Sequence, residues 1–180
     1  TDLSGKGAEQ MTGRNSGISE KNTACIRDLT ENDLLAAAEF EARIAAISFG
    51  EEAVTDPQEH LKKLKRALAK GEDIMLVLEE GRKVHGWLWI SINTNMFTGD
   101  RYANFRSFAL SPTYQGGEWG ELLFQAGLAR VVAHQDVKKV VGRVHMHNLP
   151  MRILYKKLGF QPVHITMELS LAKQTGREGV

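Results

Sequence analysis

SFALSPTYQGGEWGELLF, residues 107–124, holds the change of pattern that decides the fold. Phe108, Ala109 and Leu110 form an apolar run that Ser111-Pro112 terminates, a strand end followed by a breaker. Gly116 and Gly117 open backbone conformations closed to other residues. From Trp119 the spacing becomes helical: Trp119, Leu122, Leu123, Ala126 and the stem of Arg130 fall at i, i+3, i+4, i+7 and i+11. A buried strand that turns through glycines into a helix aims unpaired N–H groups at one point. That point suits an anion, most often a phosphate.

Three phosphate-binding patterns compete for the stretch. The mononucleotide loop, G-x-x-x-x-G-K-S/T, fails because Glu121 and Leu122 follow Gly120. The dinucleotide fingerprint, G-x-G-x-x-G, fails because the glycines here run G-G-x-x-G and lie past mid-chain. LSPTYQGGEWG instead resembles the acetyl-coenzyme A loop of the GNAT-type N-acetyltransferase superfamily, with Leu110, Pro112, Tyr114, Gln115 and Gly120 in register and Glu118 in place of a central glycine. A second stretch, VHMHNLPMRILYKKLGF at 144–160, is similar to that superfamily's other signature through Val144, Asn148, Leu154, Tyr155, Lys157, Gly159 and Phe160, with Met151 replacing a small residue. The resemblance spans 25–169.

It implies a GNAT fold, an α/β architecture whose central mixed, mostly antiparallel sheet carries helices on both faces. It also implies acetyl-CoA as co-substrate between the strands expected at 102–110 and 139–146. Backbone groups of Phe108, Ala109 and Leu110 would hold the pantetheine arm and thioester. Backbone N–H groups of Gln115, Gly116, Gly117, Glu118, Trp119 and Gly120 would hold the pyrophosphate. Asn148 would contact the pantetheine or cap the helix that follows. Tyr155 would be the general acid that protonates the leaving thiolate.

The whole chain bounds these expectations. Its 180 residues suit one domain with a sizeable core, and a net charge of +1 gives no global field toward nucleic acid. The single cysteine, Cys25, leaves no internal disulfide and fits a reducing compartment. No stretch approaches ~20 apolar residues, so no membrane partner and a cytoplasmic location are expected. Residues 1–22 read as a flexible leader that a neighbouring subunit could hold in a homodimer, 23–171 as the single domain, and 172–180 as a polar tail.

In order, 23–29 is a strand and Thr30 caps a helix with Asp33 at the capping-box position. Asp56-Pro57 opens a second helix that Gly71 ends, its Lys62, Lys63, Lys65, Arg66 and Lys70 forming a solvated face. Residues 74–78 and 84–92 make a hairpin in which Trp87 and Trp89 share one face and enter the core. Met96 and Phe97, in a polar loop, either line an acceptor site or tuck under the sheet. After 102–110 come a helix at 119–134, a strand at 139–146, a helix at 149–158 that Asn148 caps, and a last strand at 163–169. The predicted order is therefore β-α-α-β-β-β-α-β-α-β.

The acid–base residues stay open at this level. Strand 102–110 carries no glutamate; strict alternation puts Tyr102, Asn104, Arg106 and Phe108 on one face and Ala103, Phe105, Ser107 and Ala109 on the other. Arg106 could meet an acidic acceptor or a neighbouring carboxylate. His145 and His147 share a face on a strand, but no further ligand has metal-site spacing and no metal is expected. His147 is a candidate proton acceptor or a structural strand-end histidine. The function expected is transfer of an acetyl group from acetyl-CoA to a primary amine, a small molecule or a peptide α-amine, by direct transfer. The alternative is a non-catalytic GNAT-fold module that binds an acyl-CoA or a partner, favoured by Glu118 and the missing strand carboxylate.

Overall fold

In the computed structural model, which describes residues 23–169, the chain runs β1 (Cys25–Asp28), α1 (Leu34–Phe49), α2 (Pro57–Lys70), β2 (Ile74–Glu80), β3 (Lys83–Thr94), β4 (Arg101–Leu110), α3 (Trp119–Ala133), β5 (Val137–Gly142) and α4 (Leu149–Lys157). The expected leader at 1–22 and tail at 172–180 lie outside the described residues. Local chemistry places most boundaries. The Asp56 carboxylate accepts the Gln58 N–H at 2.9 Å, Pro57 occupies the first turn of α2, and Gly71 ends it at φ +68°. The two-residue turn between β2 and β3 holds Gly81 and Arg82 at φ 58° and 64°, the positive values a tight hairpin needs.

The five strands lie in the order β1-β2-β3-β4-β5. Neighbours are antiparallel except β4 and β5, which run parallel because α3 carries the chain across. Alternation along β2 and β3 divides the interior in two. Val77, Trp87 and Trp89 pack with Ala37, Phe40 and Leu64 of α1 and α2. Leu76, Leu88 and Ile90 pack with Phe105, Leu123, Phe124 and Tyr155 on the α3–α4 side. The two tryptophans join the core as expected, and each indole N–H finds a carboxylate: Trp87 donates to Glu41 and Trp89 to Asp73, both at 2.7 Å.

Five expectations are corrected. Ser107 pairs with Trp89 while Phe105 pairs with the next residue, Ile90, so Arg106 is a one-residue bulge in β4. The extra residue flips the alternation: Phe105 packs toward α3 and α4, Ala109 against the α1–α2 core, and Phe108 with Leu110 against the α3–α4 core. Strict period-2 reading therefore misassigned the faces after residue 105.

The fifth strand is Val137–Gly142 rather than 139–146, because β4 stops pairing with it after Phe105 opposite Gly142. Helix α3 buries Leu123, Phe124, Gly127 and Val131, whereas Leu122 stays exposed. A helix apolar on most sides carries no periodicity that singles out one face. Gly127 selects it, because a Cβ there would meet Leu88 Cδ2 at 2.4 Å, so α3 approaches β3 more closely than any side chain allows.

The last expected strand does not form. Residues 163–169 make no strand pairing, and Val163, Ile165, Met167 and Leu169 are 73%, 88%, 88% and 76% exposed. Alternating apolar residues mark a segment that can face a core, but a strand also needs an edge that takes its N–H and C=O groups. Met96 and Phe97 project into solvent at the β3–β4 turn, where Asn95 Oδ1 accepts the Phe97 and Thr98 N–H groups, so they neither tuck under the sheet nor lie at the end of β4 that bears Leu110.

Candidate functional site

The site starts where two parallel strands part. Pairing of β4 with β5 runs from Arg101 opposite Val137 to Phe105 opposite Gly142 and then stops. The bulge at Arg106 falls at that point. Bulges bend a strand and increase its twist, which turns the rest of β4 away from β5. Phe108, Ala109 and Leu110 keep β3 on one side and, among the described residues, have no strand on the other. The result is a wedge lined on one side by unpaired main chain, with Phe108 fixed by the Phe124 ring at 5.7 Å.

The loop after β4 is anchored to the sheet and ends in free donors. The Ser111 N–H donates to His85 O at 2.7 Å, and the Tyr114 hydroxyl donates to Glu80. That bond raises the Tyr114 pKa above the usual phenol value, with burial adding to the shift. Gln115 folds inward: its N–H donates to Pro112 O at 3.2 Å and its side-chain amide to Leu110 O at 2.9 Å. Gly116 then turns the chain at φ +75°. The first backbone bond of α3 is Leu122 N–H to Glu118 O at 3.0 Å. Among the described residues no backbone acceptor is found for the N–H groups of Gly116, Gly117 and Glu118. Trp119, Gly120 and Glu121 carry the orphan donors of a helix start. These consecutive donors fit a pyrophosphate. Glu118 is exposed at the N-cap position without a capping bond, and Glu121 is held by Lys157, which ties the end of α4 to the start of α3.

Helix α4 brings Tyr155 to the wedge. It is the buried residue of that helix, between Phe124 at 5.6 Å and Phe160 at 4.8 Å. Its ring lies over the backbone of Gly142, where a Cβ would stand 2.1 Å from the hydroxyl oxygen. The hydroxyl is thus at the residue where β4 and β5 separate. Among the described residues it has no hydrogen-bond partner, yet no buried side-chain oxygen among them lacks one, so it reaches solvent. Burial pushes its pKa up to about 12, which keeps the proton on oxygen throughout the neutral range.

Gly142 escaped sequence reading because nothing local marks it; only the arrival of α4, thirteen positions on at Tyr155, shows why a side chain is excluded.

The other sequence-derived residues are less converged. His147 is exposed and lies beyond β5, its N–H on His145 Nδ1 at 3.3 Å and the two rings 5.2 Å apart. Asn148 Oδ1 accepts the Met151 N–H at 3.2 Å, an N-cap bond. Among the described residues no group of three or more His, Cys, Asp or Glu is arranged for a metal, and no helix is long and apolar enough to cross a membrane.

On the opposite face of the sheet, α1, α2, β3 and β4 enclose a pocket of 220 Å³ lined by Glu41, His60, Lys63, Trp89, Arg106 and Ser107 among others. The Arg106 guanidinium lies over the Trp89 ring, 4.6 Å from its centroid. His60 Nε2 bonds Val54 O at 2.7 Å.

Comparison with known proteins adds an independent line. The family model described as acetyltransferase (GNAT) family matches residues 35–160. A Bacillus subtilis (strain 168) protein named "Putative ribosomal protein bS18-alanine N-acetyltransferase" is 25% identical over 149 residues, 79% of this chain and 83% of its own length. Among solved structures, a tetramutant of the BH1408 protein from Bacillus halodurans superposes with a TM-score of 0.70 at 22% identity, over 82% of this chain and 99% of that one. A "predicted acetyltransferase with acetyl-CoA" from Clostridium acetobutylicum gives 0.66 at 20% identity, over 83% and 97%.

Proposed function

Because the chain belongs to the acetyltransferase (GNAT) family, we propose that it transfers an acetyl group from acetyl-CoA to a primary amine, a small molecule or a peptide α-amine, by direct attack. The observation that carries this is the Tyr155 hydroxyl, held by aromatic packing at the point where β4 and β5 part and without a hydrogen-bond partner among the described residues. The name of the Bacillus subtilis relative, which gives the α-amine of a protein alanine as acceptor, supports the peptide arm of the reading.

In this mechanism the N–H groups of Gly116 to Glu121 hold the pyrophosphate, and the unpaired main chain of Phe108 to Leu110 holds the pantetheine arm. Acetyl-CoA supplies an electrophilic thioester there. Tyr155 keeps its proton on Oη and delivers it to the leaving sulfur. The thiol's ordinary pKa is near 8.5, so a neutral phenol is available as donor at every pH where the thiolate needs one. The wedge holds no strand glutamate, so the ammonium form must lose its proton to solvent largely unaided, and His147 is the proposed acceptor of the proton that the nitrogen sheds on attacking the thioester. That requirement favours weakly basic α-amines. About a tenth of an amine with pKa near 8 is neutral at pH 7, against roughly four parts in ten thousand for a lysine side chain.

Tyr155→Phe tests the proposal. It should lower kcat at least ~10²-fold on a confirmed acceptor while acetyl-CoA affinity, measured by calorimetry, stays unchanged. An unchanged kcat removes Tyr155 from the mechanism. Acetyl-CoA binding with no turnover of any amine would favour the non-catalytic module.

A further inference from the structure

The pocket on the α1–α2 face shares β4 with the wedge and carries two cationic side chains, Lys63 and Arg106. Arg106 is the bulge residue of β4, so its side chain leaves the alternation of the strand and enters this pocket together with Ser107. It follows directly after Phe105, the last residue of β4 paired with β5. A gap between unpaired strands opens to both faces of a sheet, so Arg106 flanks the wedge that Tyr155 flanks from the other side. Phe108, where the proposed thioester segment begins, is two residues on, roughly 7 Å along the strand.

The guanidinium is held but unsatisfied. Its carbon lies over the Trp89 ring, and among the described residues no acceptor takes any of its five N–H donors. Among the described residues it has no carboxylate partner. Lys63 lines the same pocket and among the described residues also has no ion pair. Arg106 and Lys63 outnumber the pocket's one lining carboxylate, Glu41, which also accepts the Trp87 indole N–H. The pocket's net charge is therefore positive, and a rigid fork of donors is complementary to a carboxylate that accepts two bonds at once. At 220 Å³ the pocket is smaller than a drug-sized site and suits a group of amino-acid size.

We infer that the acceptor is an amine that carries a carboxylate, with Arg106 as the residue that recognises it. The inference rests on the acetyl-transfer reading for the identity of the nucleophile. The carboxylate belongs either to a free amino acid or to an acidic side chain next to a peptide α-amine, and matched substrates separate the two.

The experiment uses the full chain and Arg106→Gln, whose exposed position leaves the fold intact, checked by acetyl-CoA affinity. Acetylation of alanine is compared with that of alaninamide, and acetylation of Ala-Asp-amide with that of Ala-Asn-amide. Amine basicities differ within each pair, so the quantity read is the kcat/KM ratio in the wild type divided by the ratio in the variant, in which basicity cancels. That quotient should be at least tenfold for one pair, and which pair responds names the source. A quotient near one for both pairs overturns the inference.

A binding arm decides the matter without turnover. N-acetylalanine, N-acetylalaninamide, N-acetyl-Ala-Asp-amide and N-acetyl-Ala-Asn-amide are titrated calorimetrically into both proteins. Binding of a carboxylate ligand that Arg106→Gln weakens at least tenfold upholds the inference, even if no amine is acetylated and the transfer reading falls. Equal or absent binding of all four refutes it, whatever the activity.

Discussion

Gly142→Ala is the sharpest probe of how the site is built. A methyl group at this position would lie 2.1 Å from Tyr155 Oη, 2.5 Å from Cζ and 2.8 Å from Cε1. Comfortable separations between such atoms are about 3.5–4.0 Å, so the ring or the strand must move by more than about 1 Å. The ring cannot swing freely, because Phe124 and Phe160 hold it at 5.6 and 4.8 Å. Overpacking of this kind typically destabilises by about 1–3 kcal/mol. Displacement of a reacting group by about 1 Å can lower the rate ~10²-fold.

The variant should therefore lose both stability in urea and kcat, while acetyl-CoA affinity, set by the loop at Gly116 to Glu121, changes little. Gly127→Ala is the control. Its methyl meets Leu88 Cδ2 at 2.4 Å and Ile90 Cδ1 at 2.9 Å, away from Tyr155, so it should destabilise comparably with kcat intact in the folded fraction. Adding Gly142→Ala to Tyr155→Phe should lower kcat little further, since both act on one group. A Gly142→Ala protein within about 0.5 kcal/mol of wild type and with undiminished kcat would refute the placement of Tyr155 against β5.

Three further outcomes are expected. Glu118→Gln should tighten acetyl-CoA binding severalfold at low salt, with the gain fading as salt rises, because it removes a carboxylate beside the free N–H groups of α3; calorimetry across salt concentrations checks it. The Arg27 side chain, bonded to Asp33 at 2.7 and 2.9 Å, holds the Asp33 carboxyl down at about 2 against an ordinary 3.8. A depressed carboxyl stabilises the fold above its unfolded pKa, so up to about 2.4 kcal/mol is present above roughly pH 4 and lost as pH falls toward 2; Asp33→Asn should flatten the acid limb of a stability profile. Tyr155 has the opposite sense: with a pKa near 12 in the fold and 10 unfolded, its contribution is intact below pH 10 and lost as pH rises toward 12. Up to about 2.7 kcal/mol should disappear across that window in wild type and not in Tyr155→Phe.

What the sequence determined by itself was local or carried by motif. The Asp56-Pro57 start and Gly71 stop of α2, the β2–β3 turn and the strand–loop–helix at 107–124 rest on neighbours a few positions apart, and the structure bears these elements out. The two motif stretches also identified the family that the comparison with known proteins shows. Tertiary structure decided the rest, because each remaining feature depends on a partner distant in sequence. The bulge at Arg106 exists only in the register of β4 on β3, and it alone turns that arginine toward Trp89. The buried face of α3 was chosen by the fit of Gly127 on Leu88 rather than by periodicity. The apolar alternation at 163–169 found no edge to pair with, so a strand pattern produced no strand. The contact of Tyr155 with Gly142, on which the proposed chemistry turns, joins a helix to a strand end through packing that no spacing along the chain encodes.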